Sequence, residues 1–214
     1  MPSRAYHEAL WKQVPEALDP PDFELRRRFL LERVRAGQRV LDIGCGDGAF
    51  AAALAQAGAR VVAIDVASEP LRRAEVRHAG LELGLVEADA PWPLADESFD
   101  VLWAGETIEH VADTGGWLSE ARRVLRPQGR LLLSTPDHGR LRLLFMALSQ
   151  RAFARHFHPL ADHLRFYTRG SLKELLQASG FQPVTVARAG GLPGARRVLL
   201  ADAQRGPACG PPPR

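Results

Sequence analysis

Apolar and polar residues alternate along the chain with two periods, one typical of strands and one typical of helices. Short runs of consecutive apolar residues predict buried strands at 39–43, 60–64, 81–86, 99–103 and 129–134. Apolar residues spaced three or four apart predict helices at 25–35, 49–57, 69–78 and 117–125. Strands and helices that take turns in this way predict an α/β fold with a mostly parallel sheet and helices on both of its faces.

The pattern changes after the fifth predicted strand. Residues 138–169 are rich in Arg, His and Phe and contain no clear strand, so they predict a helical cap inserted over one edge of the sheet. A helix at 171–179 then leads into two strands, at 182–187 and 196–200, which we expect to form an antiparallel hairpin. The chain therefore predicts a seven-stranded sheet whose last strand is antiparallel.

Composition supports a folded globular domain, since 46% of the 214 residues are hydrophobic and 25% are charged. We predict one domain over 1–204, with residues 1–36 as an N-terminal helical lid and the Pro/Gly-rich residues 205–214 as a disordered tail.

No apolar run reaches the roughly 20 residues that cross a bilayer, and the N-terminus lacks the apolar core of a signal peptide. A cytoplasmic location without a membrane partner is the expectation. The two cysteines indicate neither a disulfide framework nor a zinc site.

A glycine-rich turn flanked by acids follows the first predicted strand. It reads Asp42-Ile43-Gly44-Cys45-Gly46-Asp47-Gly48, and its glycines allow the backbone to approach a ligand closely. Asp65 ends the next predicted strand about 20 residues after Gly44, where an acid can bind two ribose hydroxyls at once. Asp42 and Asp47 would repel a pyrophosphate but not a ligand with an ammonium and a sulfonium. The sequence therefore predicts an adenosine-containing ligand that carries positive charge.

This turn resembles motif I of the class I S-adenosylmethionine-dependent methyltransferases. Residues 86–94, 98–103 and 125–133 also resemble family segments, namely the adenine-contact strand end, the fourth strand and the entry to the fifth, although Gln128 stands where a second glycine is common. The resemblance implies a Rossmann-like fold, S-adenosylmethionine as cofactor and S-adenosylhomocysteine as product. It implies that the cofactor is bound by Asp42, Gly44, Gly46, Asp65, Val66, Asp89, Ala90 and Ala104.

Candidate catalytic residues follow the fourth predicted strand and end the predicted cap. Methyl transfer requires alignment of a nucleophile with the methyl group and, for some acceptors, removal of a proton, so His110 and His163 are predicted as catalytic bases. Together with Glu106 and Glu109, these histidines also resemble the pattern on which small-RNA 2′-O-methyltransferases place a divalent metal, and that of ubiquinone-pathway O-methyltransferases. We favour the metal-free interpretation and assign no metal ligand. A purely structural role, in which His110 packs and His163 orients a loop, is the alternative.

The favoured function is O- or N-methylation of a small-molecule acceptor. Net charge is only +3, and the fourth strand is not followed by the Asp/Asn-Pro-Pro-Tyr/Phe tetrapeptide of amino-methylating DNA enzymes, so a nucleic-acid partner is not favoured. The Arg-, His- and Phe-rich cap is compatible with an anionic substrate or RNA, but the commoner interpretation is a solvated basic helix face. An RNA methyltransferase and a non-enzymatic sensor of an adenosine ligand are the alternatives.

Overall fold

The computed structural model describes residues 4–16, 18–88, 90–156, 158, 163–191 and 197–207. Within these ranges the strands are β1 (Arg39–Ile43), β2 (Arg60–Asp65), β3 (Glu82–Leu85), β4 (Phe99–Gly105), β5 (Leu125–Pro136), β6 (Phe181–Ala189) and β7 (Val198–Arg205). The α-helices are α1 (Arg4–Gln13), α2 (Phe23–Leu31), α3 (Ala49–Gln56), α4 (Ser68–Arg77), α5 (Thr114–Val124), α6 (Arg140–Ala147), α7 (Gln150–His156) and α8 (Arg169–Ala178). A short 3-10 helix spans Ile108–His110.

All seven strands form one sheet in the order β3-β2-β1-β4-β5-β7-β6. The first five are mutually parallel neighbours, and β7 is antiparallel to both β5 and β6. The predicted Rossmann-like sheet with an antiparallel last strand is confirmed. The strand order reverses between β1 and β4, and in such sheets ligands bind in the crevice outside the carboxyl ends of the strands at that point.

Apolar side chains bury both faces of the sheet. On one face, Leu41 and Ile43 of β1 belong to a cluster that includes Leu118 of α5 and Leu172 of α8. On the other, Trp103 is fully buried and lies with its ring 5.3 Å from that of Phe50 in α3 and 6.4 Å from that of Phe29 in α2. Helices therefore cover both faces of the sheet, as predicted.

The predicted start of the fifth strand is wrong. The sequence predicts a break at Pro127 and Gly129 before the fifth strand, whereas β5 already begins at Leu125. The pairing register between β4 and β5 shifts between Phe99 and Val101, and Gln128 has a φ of 63°. Residues 126–129 therefore form a bulge that pairs with neither neighbouring strand, and the irregularity predicted at Pro127 and Gly129 lies inside β5 instead of before it.

The segment after β5 contains α6 and α7. Among its described residues, strand pairing is limited to an isolated bridge between Asp137 and Tyr167. β7 extends through Arg205, so the strand includes the first residue of the predicted tail, whereas 208–214 lie outside the described residues. The domain limits, the lid and the cap remain predictions. Among the described residues, no helix combines the length and the apolar character needed to span a membrane.

Candidate active site

A cavity of about 480 Å³ lies where the strand order reverses, at the carboxyl ends of β1, β2 and β4. Cavities of this size commonly hold small ligands. The predicted site residues in its wall are Gly44, Gly46, Asp65, Val66 and His110. Asp42, Ala90, Ala104 and His163 do not line it, and Asp89 lies outside the described residues.

The glycine turn after β1 is closely packed on two sides. Gly44 and Gly46 have φ angles of 68° and 56°, a left-handed backbone that side chains disfavour. A Cβ on Gly44 would lie 2.6 Å from the Thr107 hydroxyl, which itself donates to the Ile43 carbonyl at 3.1 Å. A Cβ on Gly46 would lie 2.8 Å from the ring of Trp11 in α1. The glycines therefore allow the loop after β4 and the N-terminal helix to approach the turn.

Asp65 at the end of β2 is held by two backbone groups. One carboxylate oxygen accepts from the Gly46 N–H and the other from the Ala67 N–H, each at 3.0 Å. Burial raises the pKa of Asp65, and these two hydrogen bonds oppose that rise. Each oxygen retains acceptor capacity, so the carboxylate can accept two further hydrogen bonds from a ligand. This arrangement fits the two hydroxyls of a ribose.

Asp42 lies behind the glycine turn rather than in the cavity wall. Its side chain is only 1% exposed, and one carboxyl oxygen has no hydrogen-bond partner within the described part of the chain. Burial, followed by repulsion from Asp65, raises the pKa of Asp42 to about 8, although a hydrogen bond from the Ala51 backbone acts in the opposite direction. A cation in the cavity would favour the charged forms of both acids.

The charged groups of the cavity wall are mostly acidic. Five carboxylates line it, contributed by Asp19, Asp47, Asp65, Glu87 and Glu106. Two of them have cationic partners outside the wall, because Asp47 pairs with Arg77 and Glu87 pairs with Arg4 at 2.9 Å. Glu106 faces Arg26 of the same wall, so Asp19 and Asp65 are the carboxylates that favour a ligand with positive charge.

Arg26 supplies a guanidinium to the cavity wall. This residue was not predicted from the sequence. It is 2% exposed, its Nη1 lies 3.9 Å from Glu106 Oε1, and it donates to the Ser134 hydroxyl at 3.4 Å. Burial lowers the pKa of Arg26, an effect that Glu106 opposes. The available signal was spacing, because Arg26 shares the buried face of α2 with Phe29 and Leu30. A buried guanidinium facing a cavity can bind one carboxylate of a ligand.

The end of the cavity near β3 is apolar. Trp92 and Trp117 both line it, with ring centroids 5.7 Å apart in an edge-to-face arrangement. Val66, Val86 and Val111 complete this part of the wall. Such a surface suits a flat aromatic group. Acids, one buried arginine and an aromatic pocket together fit the ammonium, sulfonium, carboxylate and adenine of S-adenosylmethionine.

The two predicted catalytic histidines lie together, although 52 residues separate them in the chain. The ring centroids of His110 and His163 are 4.9 Å apart. Glu109 adjoins them, and one ligand atom from each of these three residues lies within 4.8 Å of the others, so the group could hold a metal ion. Glu109 is fully buried and accepts from the Thr135 hydroxyl at 2.9 Å, and burial raises its pKa well above the usual range.

The pairing of these histidines depends on backbone contacts between two loops. The Glu109 carbonyl accepts from the N–H groups of Leu164 and Arg165, at 2.8 and 3.0 Å. Arg165 also donates to the Ala112 carbonyl at 2.6 Å. The end of the insertion is therefore fixed to the 3-10 helix, which brings His163 to His110.

The strand order and the acidic glycine turn together are those of the class I S-adenosylmethionine-dependent methyltransferase fold. The sequence profile of the methyltransferase domain family matches residues 10–186, and the chain belongs to this family.

Known proteins resemble the chain in sequence and in fold. It is 34% identical to the ubiquinone biosynthesis O-methyltransferase of Ruegeria pomeroyi over 168 residues, which cover 75% of this chain and 66% of that protein. The 1,6-didemethyltoxoflavin-N1-methyltransferase of Burkholderia thailandensis, solved with its substrate and S-adenosylhomocysteine, has a TM-score of 0.68 at 22% identity, over 95% of this chain and 84% of that one. An S-adenosylmethionine-dependent methyltransferase from Mesorhizobium loti gives 0.66 at 20%, over 86% and 97%. The chain spans slightly less than two thirds of the Ruegeria protein.

Proposed function

We propose that the protein transfers a methyl group from S-adenosylmethionine to an oxygen or nitrogen atom of a small-molecule acceptor in the cytoplasm. The observation that carries this proposal is the arrangement of the cavity, with Asp65 and the glycine turn in one part and His110 in another. The relatives named above, an O-methyltransferase and an N1-methyltransferase of small molecules, support the acceptor class.

Each part of the cofactor has a partner in the cavity wall. Asp65 accepts hydrogen bonds from the ribose hydroxyls, and the Gly46 N–H that donates to this carboxylate holds it beside the glycine turn. Arg26 binds the carboxylate, and Trp92 with Trp117 forms the apolar surface for the adenine. When bound, S-adenosylmethionine supplies a methyl group activated by its sulfonium.

His110 and His163 act on the acceptor. His110 lies in the cavity wall, where its imidazole can take the proton that the acceptor loses, and the ring of His163 lies against it. A divalent metal on Glu109, His110 and His163 would serve a different purpose, since it would polarise the acceptor oxygen. We favour the base because the described wall already supplies it without a further component.

The acceptor class is tested by following a labelled methyl group. Protein and labelled S-adenosylmethionine are incubated with fractionated metabolites and, separately, with RNA. We expect label in a small-molecule fraction, at a rate that changes little with salt. Label in RNA with a steep loss at higher salt would favour the RNA methyltransferase. Cofactor binding without consumption in any fraction would favour the sensor.

Replacement of Asp65 by alanine is expected to weaken S-adenosylhomocysteine binding. Loss of hydrogen bonds to a charged group costs about 1.5 to 3 kcal/mol, which is roughly 10- to 150-fold in affinity. Calorimetry on Asp65→Ala and on Glu82→Ala, an exposed acid that begins the neighbouring strand β3 and pairs with Val62, provides the comparison. NAD should bind neither variant nor the wild type. Equal affinity in the wild type and Asp65→Ala would contradict the assignment of Asp65.

A further inference from the structure

Helix α1 covers the cavity without burying any of its own residues. His7, Leu10 and Trp11 of α1 are spaced as one helical face and line the cavity instead of packing into the core. An isolated helix of ten residues is marginal in water. The position of α1 must therefore depend on a small number of contacts with the rest of the protein.

Glu8 of α1 provides one such contact, at the N-terminus of α4. One carboxylate oxygen accepts from the Ser68 N–H at 2.5 Å and from its hydroxyl at 2.6 Å, and the other accepts from the Glu69 N–H at 3.1 Å. The residue that precedes α4 is Ala67, whose methyl side chain cannot accept a hydrogen bond from the free N–H groups of the helix. Free N–H groups and the helix dipole both favour a carboxylate there, and these hydrogen bonds lower the pKa of Glu8.

Arg73 of α4 makes the reciprocal contact at the end of α1. Its guanidinium donates to the carbonyls of Trp11 and Val14, at 2.7 and 2.8 Å. Carbonyls in the last turn of a helix lack partners within the helix, so a cation is favourable there. Arg73 is only 8% exposed and also pairs with Glu69 at 2.9 Å. We call the contacts made by Glu8 and Arg73 the latch.

The latch adjoins the segment that carries Asp65. Ser68 follows Asp65 by three residues, and Arg4 of α1 donates to the Val66 carbonyl at 3.0 Å. With α1 in this position, the Trp11 ring lies against Gly46. Docking of α1 therefore closes the cavity between the glycine turn and the end of β2.

We propose that Glu8 and Arg73 are positioning residues that hold α1 over the cofactor, so that the cofactor enters and leaves when this latch opens. This inference rests on the cofactor occupying the cavity, as proposed above. The face of α1 formed by His7, Leu10 and Trp11 meets the cavity, so a bound cofactor supplies the contact surface that α1 lacks. Cofactor binding and α1 docking therefore stabilise each other.

The experiment measures the dissociation rate of S-adenosylhomocysteine and the amide hydrogen exchange of residues 4–13 with and without this ligand. We expect saturation to slow exchange in α1 of the wild type. In Glu8→Ala the ligand should dissociate about tenfold faster, since charge-assisted hydrogen bonds are lost. Glu8→Gln, which keeps an acceptor oxygen, should lie between the two. Glu16→Ala is the control, because Glu16 is 78% exposed and lies 3.8 Å from Arg72 of the same helix α4.

Two outcomes would overturn the latch. The first is wild-type protein that binds S-adenosylhomocysteine with unchanged exchange in residues 4–13, a measurement that needs no variant. The second is an unchanged dissociation rate in both Glu8→Ala and Arg73→Lys. Failure of the wild type to bind the ligand at all would instead overturn the proposed cofactor site, so the two failures are distinguishable.

Discussion

Substitution of Gly46 by valine is expected to abolish binding of S-adenosylhomocysteine while the seven-stranded sheet stays folded. The new Cβ would lie 2.8 Å from the Trp11 ring, and the added methyl groups would extend into the space between the turn and α1. Because α1 has no buried residue, it can move away without loss of the core. Valine in the left-handed backbone of this position costs a further 1 to 3 kcal/mol of folding free energy, as an order of magnitude.

Gly37→Val is the matched control for this experiment. Gly37 has a φ of 82°, so valine meets a similar backbone strain, but no atom lies within 4 Å of the position of its Cβ. Both variants should lose similar stability in thermal unfolding followed by circular dichroism. Calorimetry on the same samples should show ligand binding in Gly37→Val alone. Retained binding in Gly46→Val would mean that the glycine turn does not line the cofactor site.

The double variant His110→Ala, His163→Ala is expected to lower kcat by about 10²- to 10⁴-fold, the usual contribution of general acid–base catalysis. The two rings lie together, so each single variant should lose nearly as much as the double variant, as is found for groups that act as a unit. Affinity for S-adenosylhomocysteine should change little, because the proposed cofactor contacts come from other residues. Turnover of the acceptor identified in the labelling experiment is the measurement.

A chelator separates the two mechanisms that this histidine pair allows. If a histidine is the base, chelation should leave the rate of the wild type unchanged. If Glu109, His110 and His163 hold a metal that polarises the acceptor, chelation should stop turnover, and Mg²⁺, Mn²⁺ or Co²⁺ should restore it. Full activity of the double variant, with or without chelator, would contradict both mechanisms and leave alignment of the substrates as the source of catalysis.

Features that depend on residues close together in the chain could be predicted from the sequence. Continuous apolar runs predicted the parallel strands, because strands buried on both faces carry apolar side chains at successive positions. The acidic glycine turn and Asp65 predicted an adenosine-containing ligand at the ends of the first two strands, because strand ends and tight turns are defined over a few residues. The start of β5 was not predictable in this way, since Leu125 pairs with the distant Phe99 of β4 across a bulge that contains Pro127 and Gly129.

Features that join distant parts of the chain were decided by the tertiary structure. The sequence offered Arg26 as one of three consecutive arginines in an amphipathic helix, and only the packing of α2 on the sheet buries its guanidinium beside Glu106. Trp11 lies on Gly46 because Glu8 and Arg73 hold α1 and α4 together. The sequence by itself therefore determined the fold class and the glycine turn with its acid, since both follow from local periodicity and turn chemistry. The cavity wall opposite that turn was decided by the tertiary structure. It is formed by residues far apart in the chain, and no local sequence pattern shows that they meet.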